Sequence, residues 1–271
     1  MNIKETFIND NILRFTLEGV DVSVANALRR IMIAEVPSMA IDEIYVAENT
    51  TPLFDEIIAH RLGLIPLTTD LDSYVPKDKC SCQGVGCSRC QVVLSLDKKA
   101  ESEIITVYSG DLKSDDSKVT PVSPNIPITK MARGQKLTLE AYARLGTGKE
   151  HAKWEPVAAC FYKYKPLIEL DSEKCNLCGA CVSECPKNIF KIVKNKIILE
   201  HPETCILCFE CVNKCKTNAI RVAYDTNNIM FTVESTGALP PERIFLEALK
   251  IFDDKLTELR NIIAGKSEVD K

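Results

Sequence analysis

The stretch NILRFTLEGVDVSVANALRRIMIAEVP, residues 11–37, decides the fold of the N-terminal part of the chain. Its first ten residues alternate apolar and polar side chains, which predicts a strand with one buried face. The residues that follow predict a helix from about Val24 to Val36, with Ser23 as its N-cap. Pro37 ends this helix, because proline lacks the backbone N–H that a further turn requires.

The C-terminal part of the chain predicts a second strand and helix. The segment IMFTVESTG, residues 229–237, is typical of a strand, and Pro240 and Pro241 open a long helix that Gly265 ends. Six apolar residues of this helix are spaced alternately four and three apart, which is typical of a helix that packs against another helix. We call them the seam: Phe245, Leu249, Phe252, Leu256, Leu259 and Ile263. The seam predicts a partner interface, and burial against the protein's own strands is the alternative.

Two segments between these ends share one cysteine spacing. CNLCGACVSECP begins at Cys175, CILCFECVNKCK begins at Cys205, and each cysteine recurs 30 positions on. The sequence contains 13 cysteines. In the reducing cytoplasm, where we expect this chain, such a number favours metal ligation over disulfides. Three cysteines in one loop followed by Cys-Pro indicate an iron-sulfur cluster, and this pattern favours iron over a four-thiolate zinc site.

In such repeats the fourth cysteine of each loop reaches the other cluster. The sequence therefore predicts two ligand sets, the first of Cys175, Cys178, Cys181 and Cys215 and the second of Cys205, Cys208, Cys211 and Cys185. We expect two 4Fe-4S clusters. The second loop differs from the first at two positions, with Phe209 in place of Gly179 and Lys216 in place of Pro186. A 3Fe-4S or oxygen-labile second cluster is therefore an open alternative.

A third group of cysteines lies in CSCQGVGCSRC, residues 80–90. Cys80, Cys82, Cys87 and Cys90 have the close spacing of a small zinc knuckle. A loop with so few apolar residues gains its order from the metal. The alternative is a flexible loop with free or oxidised thiols.

Together these features predict an α+β protein whose two ends form one split domain. We predict a dimerisation domain over residues 1–44 and 225–271, a mixed α/β insert with the zinc-like loop over residues 45–165, and a ferredoxin-like domain over residues 166–224. The insert contains three predicted strands, QVVLSLD, EIITVYS and QKLTLEAYARLG. The charged, turn-rich stretch at residues 109–125 predicts an exposed loop.

The composition argues against several functional classes. The net charge of −4 does not favour direct contact with nucleic acid or an anionic membrane. We expect a cytoplasmic protein, because no segment offers the ~18 apolar residues of a membrane span and no secretory signal is recognisable. The dinucleotide fingerprint, the P-loop and the nucleophile elbow are all missing from the sequence. We therefore expect no catalytic residues in this chain.

Four longer motifs carry a resemblance to a known family. They are VANALRRIMIAEVPSMAI (residues 24–41), DEIIAHRLGLIPL (55–67), GTGKEHAKWEPV (146–157) and FTVESTGALPPERI (231–244). In this order they resemble the alpha subunit family of multisubunit RNA polymerases over nearly the whole chain. The resemblance is strongest to the archaeal branch of that family, the D subunits, which are related to the third-largest subunit of eukaryotic polymerase II. Certain members of that branch contain a ferredoxin-like inserted domain.

The resemblance implies a non-catalytic assembly platform of DNA-directed RNA polymerase. Such a subunit pairs with the small subunit L through the split domain and recruits subunits N and P and the large catalytic subunits. It meets DNA only through the complex, and its clusters have a structural or regulatory role. Arg29 and Arg30 match an arginine pair in the helix that contacts a large subunit in this family.

Two other functional hypotheses fit parts of the sequence. The clusters alone fit a ferredoxin-like electron-transfer subunit of an oxidoreductase. The cysteine loop alone fits a zinc-dependent nucleic-acid module, although the acidic net charge and the lack of an aromatic and basic stripe argue against it. The polypeptides that co-purify with the chain distinguish the three.

Overall fold

The fold is built mainly from strands, with few helices, and confirms the α+β prediction. The computed structural model describes residues 2–265, so Met1 and residues 266–271 of the predicted dimerisation domain lie outside the described residues. The strands are β1 (Asn2–Ile8), β2 (Ile12–Glu18), β3 (Ser38–Asn49), β4 (Gln91–Lys99), β5 (Ile105–Tyr108), β6 (Lys113–Ser114), β7 (Pro127–Met131), β8 (Lys136–Gly146), β9 (Val157–Leu170), β10 (Phe190–Val193), β11 (Lys196–Leu199) and β12 (Ile220–Ser235). The α-helices are α1 (Val22–Ala34), α2 (Asp55–Gly63), α3 (Ala180–Glu184), α4 (Glu210–Asn213) and α5 (Pro241–Ile263).

The strands form two larger and two smaller sheets over these residues. The four-stranded sheets have the orders β1-β2-β12-β9 and β3-β8-β4-β6, and the two-stranded sheets are β5-β7 and β10-β11. The described residues divide into two compact units, the first drawn from residues 2–6, 14–25 and 161–231, and the second from residues 7–13, 26–160 and 232–265. Most of the β1-β2-β12-β9 sheet belongs to the first unit, and the β3-β8-β4-β6 sheet belongs to the second. The three-domain division stays a prediction.

The N-terminal strand is confirmed as β2. Its alternating residues Leu13, Phe15 and Leu17 are buried, as the period of two requires. The ring of Phe15 stacks on the ring of Phe231 from β12, with centroids 5.3 Å apart. The three strands predicted in the insert are also present, as β4, β5 and β8.

Helix α1 begins at Val22, two residues before the predicted start. Its N-cap is Asp21 and not Ser23. The carboxylate of Asp21 accepts a hydrogen bond from the backbone N–H of Ser23 at 2.8 Å, and its carbonyl oxygen accepts from the N–H groups of Val24 and Ala25 at 3.1 and 3.2 Å. The prediction of Ser23 is wrong because the aspartate, two residues earlier, reaches the unpaired N–H groups of the first turn.

The long C-terminal helix is confirmed as α5. It begins at Pro241, where a missing N–H leaves no helical hydrogen bond unmade. Gly265 follows its end in a left-handed conformation with φ of +69°, which is the usual backbone geometry after a helix C-terminus. The predicted strand at residues 229–237 is the last part of β12.

The stretch at residues 109–125 is not the exposed loop that its composition predicts. Leu112 and Val119 are buried in the core of the second unit, among side chains of β3, β4 and β8. The ammonium group of Lys118 donates to the Asp70 carboxylate at 2.7 Å. The prediction fails because turn residues and charges report local conformation, whereas these two apolar side chains are buried by distant parts of the chain.

The segment between β8 and β9 packs on the end of α1. The backbone N–H of Lys149 donates to the carbonyl oxygen of Ala34 at 2.9 Å. A Cβ atom at Gly148 would lie 2.5 Å from the carbonyl oxygen of Ile33, so this close approach requires glycine. The GTGKEH stretch, residues 146–151, therefore packs against the end of α1.

Trp154 lies in the same segment, between β8 and β9, and two cations lie over its ring. The charged groups of Arg144 and Lys153 lie 4.3 and 4.2 Å from the ring centroid, within the range of cation–π attraction. Asp42 accepts hydrogen bonds from both, at 2.7 and 2.6 Å. Burial opposes ionisation of Asp42, but the two cations outweigh it and lower its pKa.

Glu35 joins α1, α5 and the segment after β8. Its carboxylate lies 2.9 Å from the ammonium group of Lys149 and 2.5 Å from that of Lys255. Burial opposes its ionisation, but the two lysines outweigh this effect and lower its pKa below the ordinary value of 4.5. The contribution to stability is therefore present at neutral pH and is lost as the pH falls through the lowered pKa.

We expect Glu35→Gln to destabilise the second unit by roughly 1 kcal/mol at pH 7. The effect should be absent at a pH below the folded-state pKa, where both proteins carry an uncharged group. Thermal unfolding of the two proteins, from pH 7 down to a pH below the pKa of Glu35, measures this difference in stability. Glu258→Gln, an exposed position of α5, is the matched control, and an equal loss in that variant would contradict the assignment.

Candidate functional site

The two cysteine loops share left-handed backbone conformations at matching positions. Left-handed φ angles recur at positions 30 residues apart, in the pairs Leu177 (58°) and Leu207 (56°), Gly179 (76°) and Phe209 (61°), and Asn188 (50°) and Asn218 (53°). Each loop leads into a short helix, α3 or α4. The sequence duplication is thus also a duplication of structure. Phe209 occupies a conformation that favours glycine, which strains the second loop relative to the first.

The first predicted ligand set surrounds one cavity. Cys175, Cys178 and Cys181 from the first repeat line it together with Cys215 from the second. The empty space is about 280 Å³, part of it open to solvent. Burial raises the pKa of Cys181, and the negative charges of the other three thiols raise it further.

The second predicted set surrounds another cavity, where the empty space is about 350 Å³, part of it open to solvent. Cys205, Cys208 and Cys211 line it together with Cys185 from the first repeat. Burial raises the pKa of Cys211 to about 11, and the charges of the other three thiols contribute to this rise. Apolar side chains complete the lining, among them Ile168, Ile189, Phe190 and Val222.

The donor chemistry of both cavities fits an iron-sulfur cluster. Each cavity has four thiols, three from one loop and one from the other repeat, which is the arrangement that two-cluster ferredoxins use. Burial raises the pKa of the Cys181 and Cys211 thiols, so a stable thiolate at these two positions needs a metal. The metal ligands themselves stay a prediction.

The cysteines of residues 80–90 converge on one point. Their four sulfur atoms all lie within 4.8 Å of one another. The Sγ atoms of Cys80 and Cys87 are 3.6 Å apart, as are those of Cys82 and Cys90. A tetrahedral zinc site with Zn–S bonds of about 2.3 Å places its sulfur atoms about 3.8 Å apart. This group could therefore hold a metal ion without a large rearrangement.

The electrostatics of this loop favour one thiolate. A hydrogen bond with the backbone of Gly86 is the main reason that the pKa of Cys82 falls to about 6. Burial raises the pKa of Cys90 to about 12. Gly84 and Gly86 have φ angles of 83° and 100°, which allow the loop to reverse between its two cysteine pairs.

The seam of α5 is covered along only part of its length. Phe245 is buried, and Leu249 and Phe252 are partly buried. Leu256 and Leu259 are 50% and 53% exposed, and Ile263 is 77% exposed. The N-terminal half of the seam therefore belongs to the protein's own core, while the C-terminal half leaves its apolar side chains uncovered.

The two arginines of α1 have different surroundings. The guanidinium group of Arg29 donates to the side-chain oxygen of Asn26 at 3.1 and 3.2 Å, so its own helix holds it in place. Arg30 is exposed. A partner contact stays a prediction for both residues.

Sequence patterns do not identify two residues that position other elements. Glu35 is recognisable only as the end of an apolar helix face, and its lysine partners lie far along the chain. Lys163 contacts a backbone carbonyl 40 residues away, and its position in a strand gives no motif. Only the tertiary structure reveals these contacts.

Comparison with known proteins places this fold in a family. Residues 14–256 match the RNA polymerase Rpb3/Rpb11 dimerisation domain. The chain belongs to this family. The match includes most of β2, all of α1 and most of α5, which are elements near the two ends of the chain.

Relatives of this Rpb3/Rpb11-family chain are polymerase subunits by name. DNA-directed RNA polymerase subunit Rpo3 of Archaeoglobus fulgidus is 46% identical over 251 residues, which cover 93% of each chain. Subunit Rpo3 of Methanosphaera stadtmanae is 40% identical over 267 residues, covering 97% of this chain and 98% of the relative. DNA-directed RNA polymerase II subunit rpb3 of Dictyostelium discoideum is 40% identical over 280 residues, covering 94% and 92%.

These matches confirm the resemblance to the archaeal branch of the polymerase alpha family, whose members carry the name Rpo3. They give no support to the alternative of an electron-transfer subunit of an oxidoreductase. Among the helices of residues 2–265, none has the length and hydropathy that a membrane span requires.

Proposed function

We propose that this chain is the assembly subunit of an archaeal DNA-directed RNA polymerase. It forms a heterodimer with the small subunit L, and the pair then recruits subunits N and P and the large subunits. The chain is a non-catalytic member of a nucleotidyltransferase complex and meets DNA only through that complex. The observation that carries this proposal is the match to the dimerisation family over residues 14–256.

The uncovered half of the seam supports the choice of a helical partner. Leu256, Leu259 and Ile263 lie along one face of α5 and are at least half exposed. Fully burying one such side chain is worth ~1.5–3 kcal/mol, so a second helix packed along this face gains substantially. Arg30, exposed on α1, is proposed to contact a large subunit.

The two cysteine cavities are proposed to hold one iron-sulfur cluster each, with the ligand sets described above. A cluster bound in this way links a loop to the other repeat, and it adds folding free energy that these short helices cannot supply alone. Its role here is structural or regulatory. A 4Fe-4S cluster is proposed for each cavity. Because the backbone at Phe209 is strained, a 3Fe-4S cluster is the alternative for the second cavity.

The loop at residues 80–90 is proposed to bind one zinc ion. Support comes from the sulfur–sulfur distances, which match those of a tetrahedral four-thiolate site. The low pKa of Cys82 provides one ligand that needs no deprotonation by the metal.

Mixing the anaerobically prepared chain with separately produced subunit L tests the proposed function. We expect a stable heterodimer of one copy of each in size-exclusion chromatography with light scattering. Subunit N, added afterwards to this complex, should not displace L from it. A chain that stays monomeric in the presence of excess L would contradict the proposal.

A further inference from the structure

Lys163 of β9 holds the second cysteine loop. Its ammonium group donates hydrogen bonds to the backbone carbonyl oxygens of Glu203, at 2.6 Å, and Cys205, at 3.0 Å. The side chain is half-buried, and a charged donor makes hydrogen bonds roughly twice as strong as a neutral one. Cys205 is the first ligand of the second set. Lys163 therefore fixes the backbone at Cys205, the first cysteine of the second loop.

The repeat does not give the first loop an equivalent lysine. Lys163 precedes the first loop and contacts the second. Its counterpart in the repeat is therefore the residue 30 positions later, Val193, whose side chain cannot donate a hydrogen bond. The first loop is held instead by the carboxylate of Asp171, which accepts from the N–H groups of Glu173 and Lys174 at 3.0 and 3.2 Å. One loop thus has a cation on its carbonyl groups, and the other has an anion on its N–H groups.

We propose that Lys163 is a positioning residue for the second cluster, which retains its iron more firmly and has a higher reduction potential because of this lysine. The inference rests on the proposed iron-sulfur function. Reduction adds negative charge to a cluster, and a nearby fixed positive charge stabilises the more negative state. The hydrogen bonds to the loop act in addition, because they keep the Cys205 backbone in its ligating conformation.

The test compares Lys163→Met and Lys163→Arg in full-length chains that each keep one cluster. Cys178→Ser leaves the second site intact, and Cys208→Ser leaves the first. Lys196→Met, an exposed position at the start of β11, is the matched control. The measurements are the rate of iron loss to a chelator and the reduction potential by voltammetry, in which the electrode supplies the electron that the cluster takes up.

In the Cys178→Ser background, we expect Lys163→Met to lose iron several-fold faster and to shift the potential downward. Lys163→Arg should restore both properties, and neither variant should affect the cluster of the Cys208→Ser background. If Lys163→Met fails to load the second cluster, Lys163→Gln provides the potential instead. An unchanged potential, or an equal shift in both backgrounds, would overturn the inference. A parent chain that binds no iron would instead refute the proposed iron-sulfur function.

Discussion

Replacing Leu256 and Leu259 together by aspartate is expected to abolish the heterodimer while the chain stays folded. Both side chains are at least half exposed in the chain alone, so the substitution should cost little in the isolated protein. In the complex it removes the burial of two leucines, worth together at least ~3 kcal/mol. It also forces two carboxylates into an apolar contact. The combined loss corresponds to more than about a hundredfold in Kd.

Isothermal titration of the variant with subunit L measures this effect. Leu246→Asp is the matched control, since Leu246 is 60% exposed on the same helix but lies about 100° around the helix axis from Phe245. The thermal midpoint of each chain alone verifies that folding is intact. Equal losses of affinity in the control and the double variant would show that the seam is not the specific contact.

The second prediction with a large effect concerns the crossed ligand sets, in which each repeat supplies the fourth cysteine of the other repeat's cluster. We expect Cys215→Ser to remove the first cluster and Cys185→Ser to remove the second, because each cysteine lines the cavity of the other repeat. Each variant should retain about half of the eight iron atoms that two 4Fe-4S clusters contain. Iron and sulfide analysis, together with the electron paramagnetic resonance spectrum of the reduced protein, measures both outcomes.

The spectra decide whether the fourth cysteine of each repeat binds the cluster of the other repeat. Cys215→Ser should lose the same signal as Cys178→Ser, and Cys185→Ser the same signal as Cys208→Ser. Cys160→Ser is the control, because Cys160 lines neither cavity and should leave the iron content unchanged. If Cys215→Ser loses the signal that Cys208→Ser loses, each repeat binds its own cluster and the proposed ligand sets are wrong.

Loss of either cluster should also loosen the first unit. One apolar cluster of this unit includes Cys181, Cys205 and Cys211 themselves, so the cavities lie within packing that supports the unit. We therefore expect the midpoint of its thermal unfolding to fall in both cysteine variants, in parallel with the iron content.

Features of the fold that depend on local periodicity were predictable from the sequence. Strand β2 follows from the alternating apolar residues of its sequence, and the start of α5 follows from Pro241, which needs no neighbours to restrict its backbone. The cap of α1 shows the limit of this reasoning. Asp21 and Ser23 both favour N-caps, and the choice depends on backbone geometry that neither residue determines alone.

Features that depend on contacts between distant residues were not predictable. Val119 is buried within a stretch whose composition is typical of an exposed loop, because strands elsewhere in the chain cover it. The seam was recognisable from its spacing, but the spacing does not show that burial ends beyond Phe252. Lys163 carries no local signal, since its partners are carbonyl groups that any residue could supply.

The cysteine spacing is informative because ligation of an iron-sulfur cluster would constrain the backbone of each loop. The left-handed angles shared by Leu177 and Leu207 are a structural counterpart of the repeat. At Phe209 this left-handed backbone carries a bulky side chain in the second loop, whereas the matching position of the first loop is Gly179. The difference between the two proposed clusters therefore has two physical sources, a strained residue and the lysine at position 163.

The most direct test of the proposed function is anaerobic isolation of the affinity-tagged chain from archaeal cells, with metal analysis and identification of every bound polypeptide on the same sample. We expect the subunits of DNA-directed RNA polymerase, about eight iron atoms and one zinc ion per chain. A chain that instead co-purifies with an oxidoreductase, or that assembles into the polymerase without iron, would contradict this expectation.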